Sequence, residues 1–188
     1  MKNLRGLQQC RDGDAKMQPS EVYDRIQETA RTAKELGAFL FGFGNHAQHR
    51  RHQELGQPMT YREHKPFRFG GYIAGGGLGL LEGSELSWPT DTTLPIDDWW
   101  ISLQNAFYHR FAFVDCRFAL GFNQTYTGVG GMAQYRVDDS EKKATEYLQA
   151  SFGDCVQLVN RDVVMRTKKA TWRQHNKWKR RITLPYGF

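Results

Sequence analysis

The stretch from Ile96 to Asn123 changes its hydrophobic period midway, and no single kind of secondary structure suits both halves. Trp99, Trp100, Leu103, Phe107 and Phe111 recur at helical spacing behind Asp97, a residue able to cap a helix. From there Val114, Cys116, Phe118, Leu120 and Phe122 alternate with Asp115, Arg117, Ala119, Gly121 and Asn123. Alternation places successive side chains on opposite faces of a strand. The spacing predicts a helix followed directly by a half-buried strand.

The same reasoning extends downstream. Thr125–Val137 reads as a second strand, with a bulge at Gly128, Gly130 and Gly131. Asp138 with Glu141 forms a capping box, and the helix behind it buries Ala144, Tyr147, Leu148 and Phe152 before Gly153 ends it. Cys155–Val159 and Val163–Arg166 read as a hairpin turning at Asn160, Arg161 and Asp162. Helix, two strands, helix, two strands over residues 96–167 predicts an α+β core: a small antiparallel sheet with helices on one face, long irregular loops and extended terminal arms.

Upstream, residues 20–44 predict a helix that stops at Gly42 and Gly44. Ser20 is its cap, and Val22, Ile26, Ala30, Ala33, Leu36 and Leu40 form its apolar face. Residues 1–19 read as an arm without structure of its own. Residues 45–95 are a long region rich in Gly and His, with short strands expected around 67–73 and 84–88. A chain of 188 residues with 13% aromatics has enough large side chains for one core.

Charge is unevenly distributed. The chain carries 26 Lys+Arg against 20 Asp+Glu, a net of +6. Eight of those cations fall after residue 165, where no acid is found. Without them 18 face 20, a net of −2. The basic excess therefore belongs to a C-terminal tail, residues 168–188 with Arg166 just before it. Arg166, Lys168, Lys169, Arg173, Lys177, Lys179, Arg180 and Arg181 interleave there with Trp172, Trp178, Tyr186 and Phe188. Cations neutralise phosphate and aromatics stack on bases, so these twelve residues suit DNA or RNA. They suit an acidic protein groove equally well, with the tryptophans as anchors.

Other chemistry is weaker. His46, His49 and His52 stand three apart, with Glu54 nearby, but Arg50 and Arg51 oppose a cation, so no metal is expected. Seven glycines in Gly70–Gly83 lack both the GK[ST] and the GxGxxG patterns of phosphate loops, and read instead as a place where another backbone approaches closely. Leu78–Leu86 faintly resembles the LAGLIDADG motif of homing endonucleases. The motif's acid would fall at Glu82 or Glu85, but Gly75–Gly77 break the helix it needs. Asp97-Asp98 and Asp138-Asp139 read as helix starts, and Glu141-Lys142-Lys143 as helix surface rather than a nuclease site. Cys116 and Cys155 fall on the buried phase of strands; with Cys10 they make an odd count without CxxC spacing, which points to a reducing compartment. Two adjacent tryptophans, Trp99 and Trp100, cannot both face inward, so one is expected to be exposed or covered by another segment.

No stretch approaches the roughly 20 apolar residues of a spanning helix, and the N-terminus has no apolar signal core. No membrane attachment and no cofactor are expected, and location in the cytoplasm or a virion. These features fit a non-enzymatic assembly subunit, oligomeric and bound to other protein subunits, in a phage or virus particle (head–tail joining or tail region). The alternatives are a nucleic-acid-binding or -processing protein, such as a ribonucleoprotein subunit or metal-dependent nuclease, and an inhibitor of an acidic protein.

Overall fold

A computed structural model of the chain describes residues 4–9, 17–45, 66–70, 72–73, 77–122, 139–160 and 178–183. Helix α1 (Pro19–Glu35) begins at a proline, whose missing N–H is an orphan donor at that position anyway. The cap is Gln18 rather than Ser20, and its backbone N–H donates to Glu21 Oε2 at 2.6 Å. The helix ends sooner than its apolar spacing suggests. Gly37, at φ +76°, turns the chain, and the Ala38 N–H returns to the Ala33 carbonyl at 2.9 Å.

Leu40 then belongs to strand β2 (Leu40–Asn45), not to the helix. Gly42 and Gly44 are strand residues. A Cβ on Gly42 would meet Ile73 Cγ2 at 2.3 Å and the Gly77 carbonyl oxygen at 2.6 Å, so glycine is required by close approach rather than by a helix stop. The N-terminal arm also departs from expectation. Leu4–Gln9 forms strand β1, whose sequence alternates too weakly to announce a strand without its partner.

Strands β3 (Phe67–Phe69) and β4 (Leu78–Leu80) are short. Residues 84–88, expected as a strand, are irregular and include Glu85 at φ 56°. Helix α2 (Asp97–Tyr108) leads into the long strand β5 (Phe113–Phe122), which is the period switch read from the sequence. The cap of α2 is Ile96, with Asp97 and Asp98 in its first turn. Thr125–Val137 lies outside the described residues.

β5 is the centre of a five-stranded sheet. β2 pairs with it in parallel on one edge, and β4 pairs antiparallel beyond β2. The other edge is shared end to end: β3 pairs with Phe113–Asp115 and β1 with the stretch from Phe118 to Phe122, both antiparallel. The fold is α+β, with two departures in detail. One pair is parallel, which the long crossover through α2 permits. Helices also cover both faces instead of one. Phe41, Phe113 and Phe67 pack with Ala30 and Ala33 of α1, whereas Leu40, Val114 and Leu80 pack with Ile101 and Trp100 of α2.

The second helix–strand unit is helix α3 (Ser140–Phe152), whose cap position is Asp139 without a side-chain cap bond rather than the box of Asp138 with Glu141, and Gly153 at φ 72° ends it as expected. A 3-10 turn over Gly153–Cys155 leads into β6 (Val156–Asn160). Val163–Arg166, expected as its hairpin partner, lies outside the described residues. β6 pairs with β7 (Trp178–Ile182), taken from the middle of the basic tail. Ala144, Leu148 and Val156 join Ile96 and Leu103 in a core that connects this unit to α2, with Ile182 packed against it. The described sheets thus draw on residues from 4 to 182 rather than on 96–167 alone. No helix of the described residues is long and apolar enough to cross a membrane.

Candidate partner-contact site

β7 seats four of the tail residues singled out from the sequence. Its antiparallel register sets Val156 opposite Ile182, Gln157 opposite Arg181, Leu158 opposite Arg180, Val159 opposite Lys179 and Asn160 opposite Trp178. Strand period then divides the charges. Ile182 and Arg180 lie on the side that meets α3, while Arg181 and its partner Gln157 are exposed.

Arg180 is not available as a free cation. Its side chain is 5% exposed. Nε donates to Thr145 Oγ1 at 3.2 Å, and Nη2 reaches Glu141 Oε2 at 3.4 Å. Glu141 and Thr145 stand four apart, so they offer both acceptors from one face of α3. The guanidinium also lies over the Trp99 ring, 5.4 Å from its centroid. A charge this buried needs partners, and it has a carboxylate, a hydroxyl and a π face.

Trp99 and Trp100 resolve the two-tryptophan problem by being covered on both counts. Trp99 is stacked on Tyr72 with centroids 4.0 Å apart, and the Tyr72 hydroxyl donates to Asp98 Oδ2. Trp100 Nε1–H donates to the Ser87 carbonyl at 2.9 Å, and its ring meets Phe152 edge-on and Tyr147 at a tilt. Neither is an open anchor. Among the described residues the exposed aromatics are elsewhere: Phe107 at 73% and Tyr108 at 58% at the end of α2, together with Tyr23, Trp88 and Phe69. The sequence had placed Phe107 on the buried side, but Ile101, Leu103 and Ala106 take that role.

Residues Arg166, Lys168, Lys169, Trp172, Arg173, Lys177, Tyr186 and Phe188 lie outside the described residues, as do His46, His49, His52 and Glu54. Residues 161–177 nevertheless have both ends pinned, because Asn160 and Trp178 are register partners. Those 17 residues carry Arg161, Arg166, Lys168, Lys169, Arg173 and Lys177 against one acid, Asp162. The basic stretch is therefore a segment closed at its base by a strand pair, where the sequence suggested an open tail starting after the last strand.

Two of the acids considered for chemistry have structural partners. Asp98 accepts from the Trp99 N–H at 2.9 Å as well as from Tyr72, and Glu141 holds Arg180. Leu78–Leu80 is strand and not the helix of a LAGLIDADG element. Gly79 lets the Phe41 ring lie against the β4 backbone, so the close approach here is by a side chain rather than by the backbone expected. Burial pushes the Cys116 thiol up, with Asp115 adding to the rise and Arg68 opposing it. Burial likewise pushes Cys155 up, so neither is primed as a thiolate. Among the described residues no group of three or more His, Cys, Asp or Glu is arranged to hold a metal.

One polar cluster was not legible in the alternation of β5. Asp115, expected on a solvated face, is 1% exposed. It accepts from Arg117 three times: from the backbone N–H at 3.0 Å, from Nε at 3.0 Å and from Nη2 at 2.8 Å. These bonds push Arg117 further up in pKa, with help from Glu28. Glu28 Oε1 lies 3.7 Å from Arg117 Nη2 and Glu28 Oε2 pairs with Arg25, while Phe67 and Phe118 flank the Arg117 guanidinium. Asp115 stands two residues from Phe113 on the face that α1 covers, and a bulge follows it: Phe43 pairs with Asp115 but Gly44 with Ala119, so Cys116, Arg117 and Phe118 have no counterpart on β2. That break shifts the period, and Phe118 joins Phe43 under Val22 of α1. The D-x-R spacing on a strand was the available signal. The cluster staples the bulge and α1 together.

No family model matches this chain, and neither the curated proteins nor the solved structures contain a significant match to it.

Proposed function

We propose that this chain is a non-enzymatic structural subunit of a larger assembly, held to its neighbours by the basic segment that begins after β6. The observation that supports this reading is the pairing of Asn160 with Trp178, which ties a segment of six cations and one acid to the body at both ends. A tethered segment loses less freedom on binding than a free tail, so its charge is better suited to a defined seat. Asp98 holds Tyr72 and the Trp99 N–H, and Glu141 holds Arg180, engagements that suit a binding role. The particle setting, a phage or virus head–tail joint or tail, rests on the long loops of the sequence.

The geometry changes how the reading is tested. Deleting Arg166–Phe188 would remove β7 and withdraw Ile182 from the core, so it is not a clean truncation. The suitable variant changes Lys168, Lys169, Arg173 and Lys177 to Gln and keeps 178–183 intact. It should melt like the wild type yet fail to enter the native assembly. Normal incorporation would refute the proposal. Loss of binding to single-stranded DNA or RNA, with incorporation intact, would favour the nucleic-acid reading instead.

A further inference from the structure

Arg180 and Arg181 are adjacent in sequence and alike in charge, yet the fold treats them oppositely. Arg181 is exposed beside Gln157. Arg180 is sealed against Glu141, Thr145 and Trp99. Among the described residues the sheet they belong to has two strands and is paired with no strand of the larger sheet. A two-stranded sheet is at best marginal unless it packs on something else. Here the packing on β7's side comes from Ile182 against the α2–α3 core and from Arg180 on α3.

We infer that Arg180 is a positioning residue: it latches β7 to α3 and so fixes where the basic segment leaves the body, while Arg181 is the residue of the pair offered to a partner. The inference rests on the anchor reading for its purpose, but the latch itself is a property of the fold. Thr145 and Glu141 give the guanidinium two directions of hydrogen bonding, and a planar fork fits them where a lysine ammonium would not. The Trp99 ring closes the third side. Releasing the latch strips the charge-assisted contacts from the second sheet and leaves the five-stranded sheet alone.

Native-state hydrogen exchange on the full chain tests this, because local opening raises exchange only in the unit that opens. Arg180→Met and Glu141→Gln should each speed exchange of the backbone amides in 156–160 and 178–182 by roughly tenfold or more, the scale of a lost hydrogen bond to a charged group. Amides of β2 and β5 should be unchanged. Arg181→Met removes the same charge as Arg180→Met and should exchange like the wild type, but it should leave immobilised heparin at lower salt. Glu141→Gln keeps every cation and serves where Arg180→Met does not fold. Wild-type exchange rates in both latch variants would overturn the inference, as would equal opening by Arg181→Met. A wild-type chain that heparin does not retain would count against the anchor reading, with the exchange comparison still deciding Arg180.

Discussion

Gly79→Ala is the smallest change that should disturb the sheet. Gly79 of β4 is the register partner of Phe41 on β2. A Cβ at 79 would stand 2.3 Å from Phe41 Cζ, 2.5 Å from Cε1 and 3.0 Å from Cε2. Carbon atoms prefer about 3.5–4.0 Å, so the ring must move by roughly 1 Å. Phe41 is 5% exposed and packs against Ala33, Ala38 and Phe113, so the displacement is passed to α1 and β5. Overpacking of this kind typically costs about 1–3 kcal/mol. Glycine 79 does not hold a positive φ. Alanine therefore returns about 0.4–1 kcal/mol by restricting the unfolded chain. The difference is a loss of about 1–2 kcal/mol. In a domain of this size that lowers Tm by about 3–6 °C. Thermal and urea melts followed by far-ultraviolet circular dichroism would measure it. Phe41→Leu removes the clashing ring, so the double variant should cost less than the two single changes together by at least about 0.5 kcal/mol. A Gly79→Ala protein as stable as the wild type, or strict additivity, would show that the ring does not occupy that space.

Further outcomes follow from other sites. Gly37→Ala, at φ +76° with nothing near its Cβ, should cost about 1–2 kcal/mol through the backbone alone, measurable as a fall in urea midpoint. Arg117→Met leaves the buried Asp115 carboxylate uncompensated and should destabilise by about 3 kcal/mol, near the lower end for such a loss because Arg117 is 35% exposed; Asp115→Val combined with it should recover part of that loss in the same melts. Phe107→Ser should change stability by no more than about 0.5 kcal/mol, whereas Leu103→Ala should cost about 2–5 kcal/mol, the reverse of equal burial on one helix side. The Cys116 thiol lies above its ordinary 9.0 in the folded chain, so its contribution to stability is complete below that value and is lost as pH rises through the folded pKa; Cys116→Ala should flatten the alkaline limb of a stability-against-pH curve.

The features legible in the chain are those decided within a few residues. Pro19 opened α1, Gly153 closed α3, and the passage from helical to alternating spacing marked the step from α2 to β5. Caps and periods act locally, so sequence suffices for them. β1, β2 and β7 were missed for a common reason. LRGLQQ, LFGFGN and WKRRI are respectively too polar, too rich in glycine and too charged to signal strands, and each becomes one by hydrogen bonding to a distant segment. The Asp115 cluster was hidden because the face on which alternation places it is covered by α1, a segment far away in the chain.

The tail shows the division most plainly. Its charge, its tryptophans and its excess over a slightly acidic body are properties of composition, and folding does not alter them. Whether a given arginine points to solvent or into the protein is decided by register, and register was set by β6, some twenty residues earlier in the chain. Alternation across one strand sends Arg181 outward and Arg180 onto Glu141, Thr145 and Trp99, three residues from two different helices. The amount of charge is written locally. Its availability depends on long-range pairing, because a buried guanidinium is tolerated only where the rest of the fold supplies its partners.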